Sequence, residues 1–152
     1  MPPTLLDAYL PICDVSARYE IHIPAPPEVV HRALRHADLS QSLVVKALFL
    51  VRGLGVARGP LTLDRMRREG FMLLGDDAER ELVFGVAGRF WKLSGGREPI
   101  RPEEFREFAR PGSAKAALNF LVGDASGGSR LSTETRVQCF GARCCGRCGT
   151  RR

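Results

Sequence analysis

Residues 130–137 alternate without a break: Leu131, Thr133, Thr135 and Val137 fall on one side, Arg130, Ser132, Glu134 and Arg136 on the other. Period two is the period of a β-strand, and this alternation requires one buried and one polar face. A Gly/Ser-rich stretch at 123–129 precedes it, and the apolar stretch 114–122 comes before that. Two such segments around a turn predict an antiparallel hairpin, which needs further strands beside it to bury its apolar side.

The rest of the chain supplies them. Residues 16–23 alternate in the same way, with Tyr19, Ile21 and Ile23 opposite Arg18, Glu20 and His22. Pro24-Ala25-Pro26-Pro27 ends that strand, because proline removes ladder donors. Residues 71–74 and 81–86 flank the polar turn Gly75-Asp76-Asp77-Ala78 and predict a second hairpin. Gly85 and Gly88 mark bulges or close backbone approaches, and Gly112 is a further candidate for a bend.

Helical signals lie between the first strand and the hairpins, with one short turn before them at 4–10. Pro27 and Glu28 suit a first helical turn, and Val29, Val30, Ala33 and Leu34 give an apolar face to about His36. Asp38 with Gln41 makes a capping-box pattern for a second helix through Val51. Thr62 and Gly70 bracket a short third one. Residues 102–109 read either as a helix start or as a strand carrying Phe105 and Phe108. The fold class is therefore α+β: helices on one face of a curved antiparallel β-sheet, with two helices following the first strand.

Charge and cysteines concentrate at the C-terminus. The chain of 152 residues carries a net +6 from 23 basic and 17 acidic side chains. Four of the basic ones, Arg143, Arg147, Arg151 and Arg152, lie in residues 141–152, so residues 1–140 hold 19 against 17. The basic character belongs to the tail. The longest apolar run, 43–51, is interrupted by Lys46 and falls short of the roughly 20 residues of a membrane span. The N-terminus has no basic region followed by a long apolar one, so a cytoplasmic location and free thiols are expected.

Ile23-Pro24-Ala25-Pro26-Pro27-Glu28-Val29-Val30 resembles the opening of the START-like, or SRPBCC, superfamily, whose members share the helix-grip fold of the major birch pollen allergen. Three further stretches resemble one bacterial branch of it. They are Leu82-Val83-Phe84-Gly85-Val86-Ala87-Gly88-Arg89-Phe90-Trp91, Pro111-Gly112-Ser113-Ala114-Lys115-Ala116-Ala117-Leu118-Asn119-Phe120 and Arg130-Leu131-Ser132-Thr133-Glu134-Thr135-Arg136-Val137. The resemblance covers about residues 4–138. It implies a sheet gripping a long C-terminal helix, with a hydrophobic cavity between them. Members of the superfamily bind lipids, sterols, polyketides or plant hormones, and some are polyketide cyclases or aromatases. Others act on ribosomes or assist quinone biosynthesis, so the fold leaves the function open.

Where the family pattern continues into that helix, this chain reads Gln138-Cys139-Phe140-Gly141-Ala142-Arg143-Cys144-Cys145-Gly146-Arg147-Cys148-Gly149-Thr150-Arg151-Arg152. Its glycines and its lack of large aliphatic residues make a poor amphipathic helix. The Arg/Gly/Cys composition suits an out-of-frame read of GC-rich DNA. The expectation is a START-like ligand-binding domain at 1–140 lacking the long C-terminal helix, and a disordered basic tail at 141–152. An uncovered apolar face would then favour self-association.

The cavity-lining candidates are Phe84, Val86, Phe90, Trp91, Phe105, Phe120 and Val122 from the strand region, and Leu43, Ala47 and Leu50 from the second helix. A plain core accounts for the same residues. Tyr19, Thr133 and Thr135 are the polar candidates; backbone satisfaction of the Tyr hydroxyl and β-propensity of the threonines are the competing readings. His22, His31 and His36 read as surface or structural, and Glu103, Glu104 and Glu107 as a solvated helical face. Cys145 and Cys148 form a C-x-x-C without the second pair or histidines that zinc needs, so no metal or other cofactor is expected. The tail has no nucleic-acid motif, so no specific nucleic-acid partner is expected.

These readings lead to a binding module for a hydrophobic small molecule or lipid. One alternative is a cyclase-like enzyme using Tyr19 as a proton handle. The other is an interaction module that uses the exposed sheet face.

Overall fold

The computed structural model describes residues 3–36, 62–68, 70–77, 80–90, 92 and 96–141. The helix expected at 38–51, and with it Leu43, Ala47 and Leu50, lies outside the described residues, as do Trp91 and residues 142–152.

The protein is an α+β fold built on one five-stranded antiparallel sheet. In chain order its elements are α1 (Leu5–Tyr9), β1 (Val15–Ile23), α2 (Pro27–His36), α3 (Leu63–Arg68), β2 (Met72–Asp77), β3 (Glu81–Gly88), a 3₁₀ turn (Pro102–Glu104), β4 (Ser113–Ala125) and β5 (Gly128–Phe140). The sheet order is β1-β5-β4-β3-β2. Strands β2 to β5 form a meander of hairpins, and β1, first in sequence, pairs outside the last strand. β1 and β2 are therefore the two edges.

Local chemistry explains the elements. Thr4 caps α1: its hydroxyl accepts from the Asp7 amide while the Asp7 carboxylate accepts from the Thr4 amide, so two otherwise unpaired donors are satisfied. Thr62 caps α3 through the Arg65 amide. The β4–β5 hairpin is tighter than the 123–129 turn expected, because the strands extend to the Ala125↔Gly128 pair and leave only Ser126 and Gly127 between them. The β2–β3 turn is displaced as well. Gly75, Asp76 and Asp77 continue the strand, paired with Val83, Leu82 and Glu81. The register shift falls between Leu73 and Gly75, on the strand facing Gly85.

Gly85 and Gly88 are both sites of close approach. A Cβ on Gly85 would stand 2.7 Å from Leu74 Cδ1 and 2.8 Å from Phe105 Cε2. Gly88 has φ +107° and lies against the backbone of Gly96 and Glu98, a conformation and a space that side chains rarely share.

Pairing places Leu82, Phe84 and Val86 on one face with Ala114, Ala116, Leu118 and Phe120 of β4 and the Leu131–Val137 alternation of β5. Leu34 of α2, Met66 of α3 and Phe71 pack on this face and complete the main core. The opposite face is covered too. Leu6 and Leu10, within and just after α1, and Phe105, just after the 3₁₀ turn, pack on Val83 and Ala117. The strand alternation predicts one covered face. The structure has two over β3 and β4, and every residue of β3 is buried.

Candidate functional site

The candidate site is the sheet face that carries α2 and α3. The register assembles most of the sequence-predicted residues there in transverse rows. Tyr19, Thr133, Phe120 and Leu82 form one row across β1, β5, β4 and β3. Ala17, Thr135, Leu118 and Phe84 form the next, and Val15, Val137, Ala116 and Val86 the one after. Val122 lies in the row of Ile21 and Leu131. Phe90 joins the same core cluster. Phe105 does not: it packs with Leu6, Leu10 and Val83 on the other face.

This face is unevenly covered. Phe84, Val86, Phe120 and Val122 are buried, as is Thr135. Toward β1 the cover ends: Val15 is 49% exposed, Tyr19 48% and Ile21 55%. Leu131, Val137 and Cys139 of β5 are partly buried against the core edge. Val29, on the helix packed over this face, is exposed as well, so the apolar side of α2 is carried by Val30, His31 and Leu34 instead of the Val29/Ala33 side. A cavity of about 10 Å³ sits among Phe71, Val86, Phe90, Arg97, Ala116, Ala117, Leu118 and Thr135. That is room for about one water.

The opposite face holds a set of buried polar residues outside the sequence-predicted site. Glu81 is 2% exposed, and its carboxylate accepts from the amides of Leu5 (2.7 Å) and Leu6 (3.3 Å) and from Asn119 Nδ2 (2.7 Å). Asn119 Oδ1 in turn accepts from the Glu134 amide. The buried carboxylate thus satisfies first-turn donors of α1 from a strand 75 residues away in sequence. Arg136 holds the far end of α1, donating to the Leu10 carbonyl and pairing with Asp7 and Glu134.

Lys115 is 4% exposed. Its Nζ donates to the carbonyls of Phe105 (3.2 Å) and Arg106 (2.7 Å) and lies over the Phe105 and Phe140 rings. Burial holds its pKa below the ordinary value of 10.5. These contacts pin α1 and the 3₁₀ segment to the sheet. One signal for them was visible: Lys115 is the single charge inside an apolar run.

His31 is buried, and its Nε2 has no hydrogen-bond partner among the described residues. Those residues contain no group of three or more His, Cys, Asp or Glu placed to hold a metal. They contain no helix long and apolar enough to cross a membrane. The chain has no significant match to any protein-family model, curated protein or solved structure.

Proposed function

We propose that the protein is a binding module of START-like, helix-grip character for a hydrophobic small molecule or lipid, which it takes on the open half of its apolar sheet face. The observation that carries this reading is the exposed row Val15, Tyr19 and Ile21, which runs without a break in register into the buried core of the same face. Binding sites are mostly apolar with a few placed polar groups. Tyr19 and Thr133, adjacent across β1 and β5, supply hydroxyls beside that apolar row. The cavity among Phe71, Val86, Phe90 and Thr135 has room for about one water, so this reading puts the ligand on the exposed face rather than in that cavity.

Native mass spectrometry of the purified protein tests for a co-purified apolar molecule, and titration with the fluorescent fatty acid cis-parinaric acid tests the surface. The expected result is saturable binding that Ile21→Glu weakens while the fold is kept. A protein that carries no ligand and ignores the fatty acid would refute the reading. The cyclase alternative rests on Tyr19 alone, and no second group among the described residues of the site favours it.

A further inference from the structure

The two edges of the sheet are built differently. β2 is short, has a register break between Leu73 and Gly75, and ends in exposed Asp76 and Asp77. Bulges and charges are the usual protections of an edge strand. β1 also carries exposed charges, Arg18 and Glu20, but it has neither a bulge nor a proline over Val15–Ile23, and its nine residues stay in continuous register with β5. Among the described residues no strand pairs with its other side. That side is an unbroken row of backbone donors and acceptors, flanked on one face by exposed Tyr19 and Ile21.

The sequence of this edge is complementary to itself. An antiparallel pairing of two β1 strands about a two-fold axis at Tyr19 sets Arg18 opposite the partner's Glu20 and Glu20 opposite the partner's Arg18. Tyr19 then meets the partner's Tyr19, Ala17 the partner's Ile21, and Val15 the partner's Ile23. Charges meet opposite charges on one face, and apolar residues meet apolar residues on the other. Slipping the register by two residues, the smallest slip that keeps the faces matched, puts Glu20 against the partner's Glu20 or Arg18 against the partner's Arg18. Like charges directly opposite one another are destabilising. The pattern therefore selects a single register.

We propose that β1 is the interface of a symmetric homodimer, formed by antiparallel β1–β1 pairing centred on Tyr19, which joins the two sheets into one of ten strands. The interface is isologous and closed, so it uses up the open edge and does not propagate into fibres. It also joins the two open apolar half-faces across the axis. The proposal goes beyond the ligand reading and is separable from it, because Arg18 and Glu20 lie on the face opposite Tyr19 and Ile21.

Sedimentation velocity over a concentration series tests it, with Arg18→Glu, Glu20→Arg and the double swap. Arg18 and Glu20 are surface residues with side chains 43% and 46% exposed. Within one chain they lie 3.8 Å apart as an ion pair, Glu20 also pairs with Arg130, and Arg18 stands opposite Glu134. Circular dichroism and thermal unfolding therefore check that each variant keeps its own β1–β5 pairing. The wild-type chain is expected to be a dimer. Each single reversal creates two like-charge pairs per dimer and is expected to weaken association by about tenfold or more. The double swap restores the opposite pairs and the dimer. A monomeric wild type at about 100 μM, singles that dimerise like the wild type, or a double swap that stays monomeric would each overturn the proposal. A monomer whose β1 amides resist hydrogen exchange would overturn it in favour of cover by the chain's own remaining segments. Fatty-acid binding by the single variants is expected to persist, which separates failure of the interface from failure of the ligand site.

Discussion

β1 and β3 are strands of similar length in the same sheet, with only β5 and β4 between them. Every residue of β3 is buried, while β1 is exposed along nearly its whole length. Their compositions match these places. β3 carries one charge, Glu81, at its first residue, and then an uninterrupted Leu-Val-Phe-Gly-Val-Ala-Gly, as expected of a strand covered on both faces. β1 alternates Arg18, Glu20 and His22 with Tyr19, Ile21 and Ile23, as expected of a strand covered on one face at most. The difference shows how unevenly the sheet is covered: its centre is closed by remote segments, and the β1 edge keeps exposed apolar surface at Val15, Tyr19 and Ile21.

The largest expected effect lies at the closed end. Phe84→Ala removes a fully buried ring and is expected to cost about 3–5 kcal/mol in a urea titration. Next is Glu81→Ala, which leaves two α1 amides and the Asn119 amide without an acceptor. A loss of about 2–4 kcal/mol is expected, with faster hydrogen exchange at Leu5 and Leu6; unchanged exchange would mean that Glu81 does not hold α1 to the sheet.

Lys115→Met strips the Phe105 and Arg106 carbonyls of their donor and is expected to cost about 1–3 kcal/mol. Its pH signature is more specific. Burial places the Lys115 pKa below 10.5 in the folded state. Between that lowered value and 10.5 the unfolded chain binds more protons, so this residue makes stability rise with pH in that window. The methionine variant is expected to lose that rise, as thermal unfolding at a series of alkaline pH values would reveal.

Asp7 acts in the acid range. The hydrogen bond from the Thr4 amide, reinforced by the Thr4 hydroxyl and Arg136, holds its pKa below 3.8. The stability it adds is present above 3.8 and is lost as pH falls through the lowered value. Asp7→Asn is expected to flatten that part of the acid limb in pH-dependent denaturation. The smallest effect is expected at the open edge: Ile21→Ser changes stability by no more than about 0.5 kcal/mol. A cost close to that of Phe84→Ala would show that the β1 face is covered in solution and would collapse the contrast between the two strands.

Much of this plan was legible beforehand. Pro24 to Pro27 and the caps at Thr62 and Gly70 place α2 and α3 to within a residue, because capping and proline effects act over one helical turn. The alternations at 16–23 and 130–137 place β1 and β5 with the same residues on each face, because strand side chains alternate regardless of context. Seven of the site candidates, Tyr19, Phe84, Val86, Phe120, Val122, Thr133 and Thr135, share one face for that reason. The turn chemistry at 75–78 is misleading, because Gly75 and the two aspartates have local turn propensity but continue a bulged strand.

Periodicity and punctuation, then, suffice for the elements and for which residues share a side, since both are properties of a few consecutive residues. They do not say how many sides are covered. That depends on α1 reaching Glu81, on the 3₁₀ segment reaching Lys115, and on the cover ending before β1. Phe105 looks like any other apolar candidate in sequence and lies on the opposite face because its chain segment crosses there. Burial is set by contacts between distant parts of the chain, so the closed centre and the open edge emerge only once the sheet has assembled.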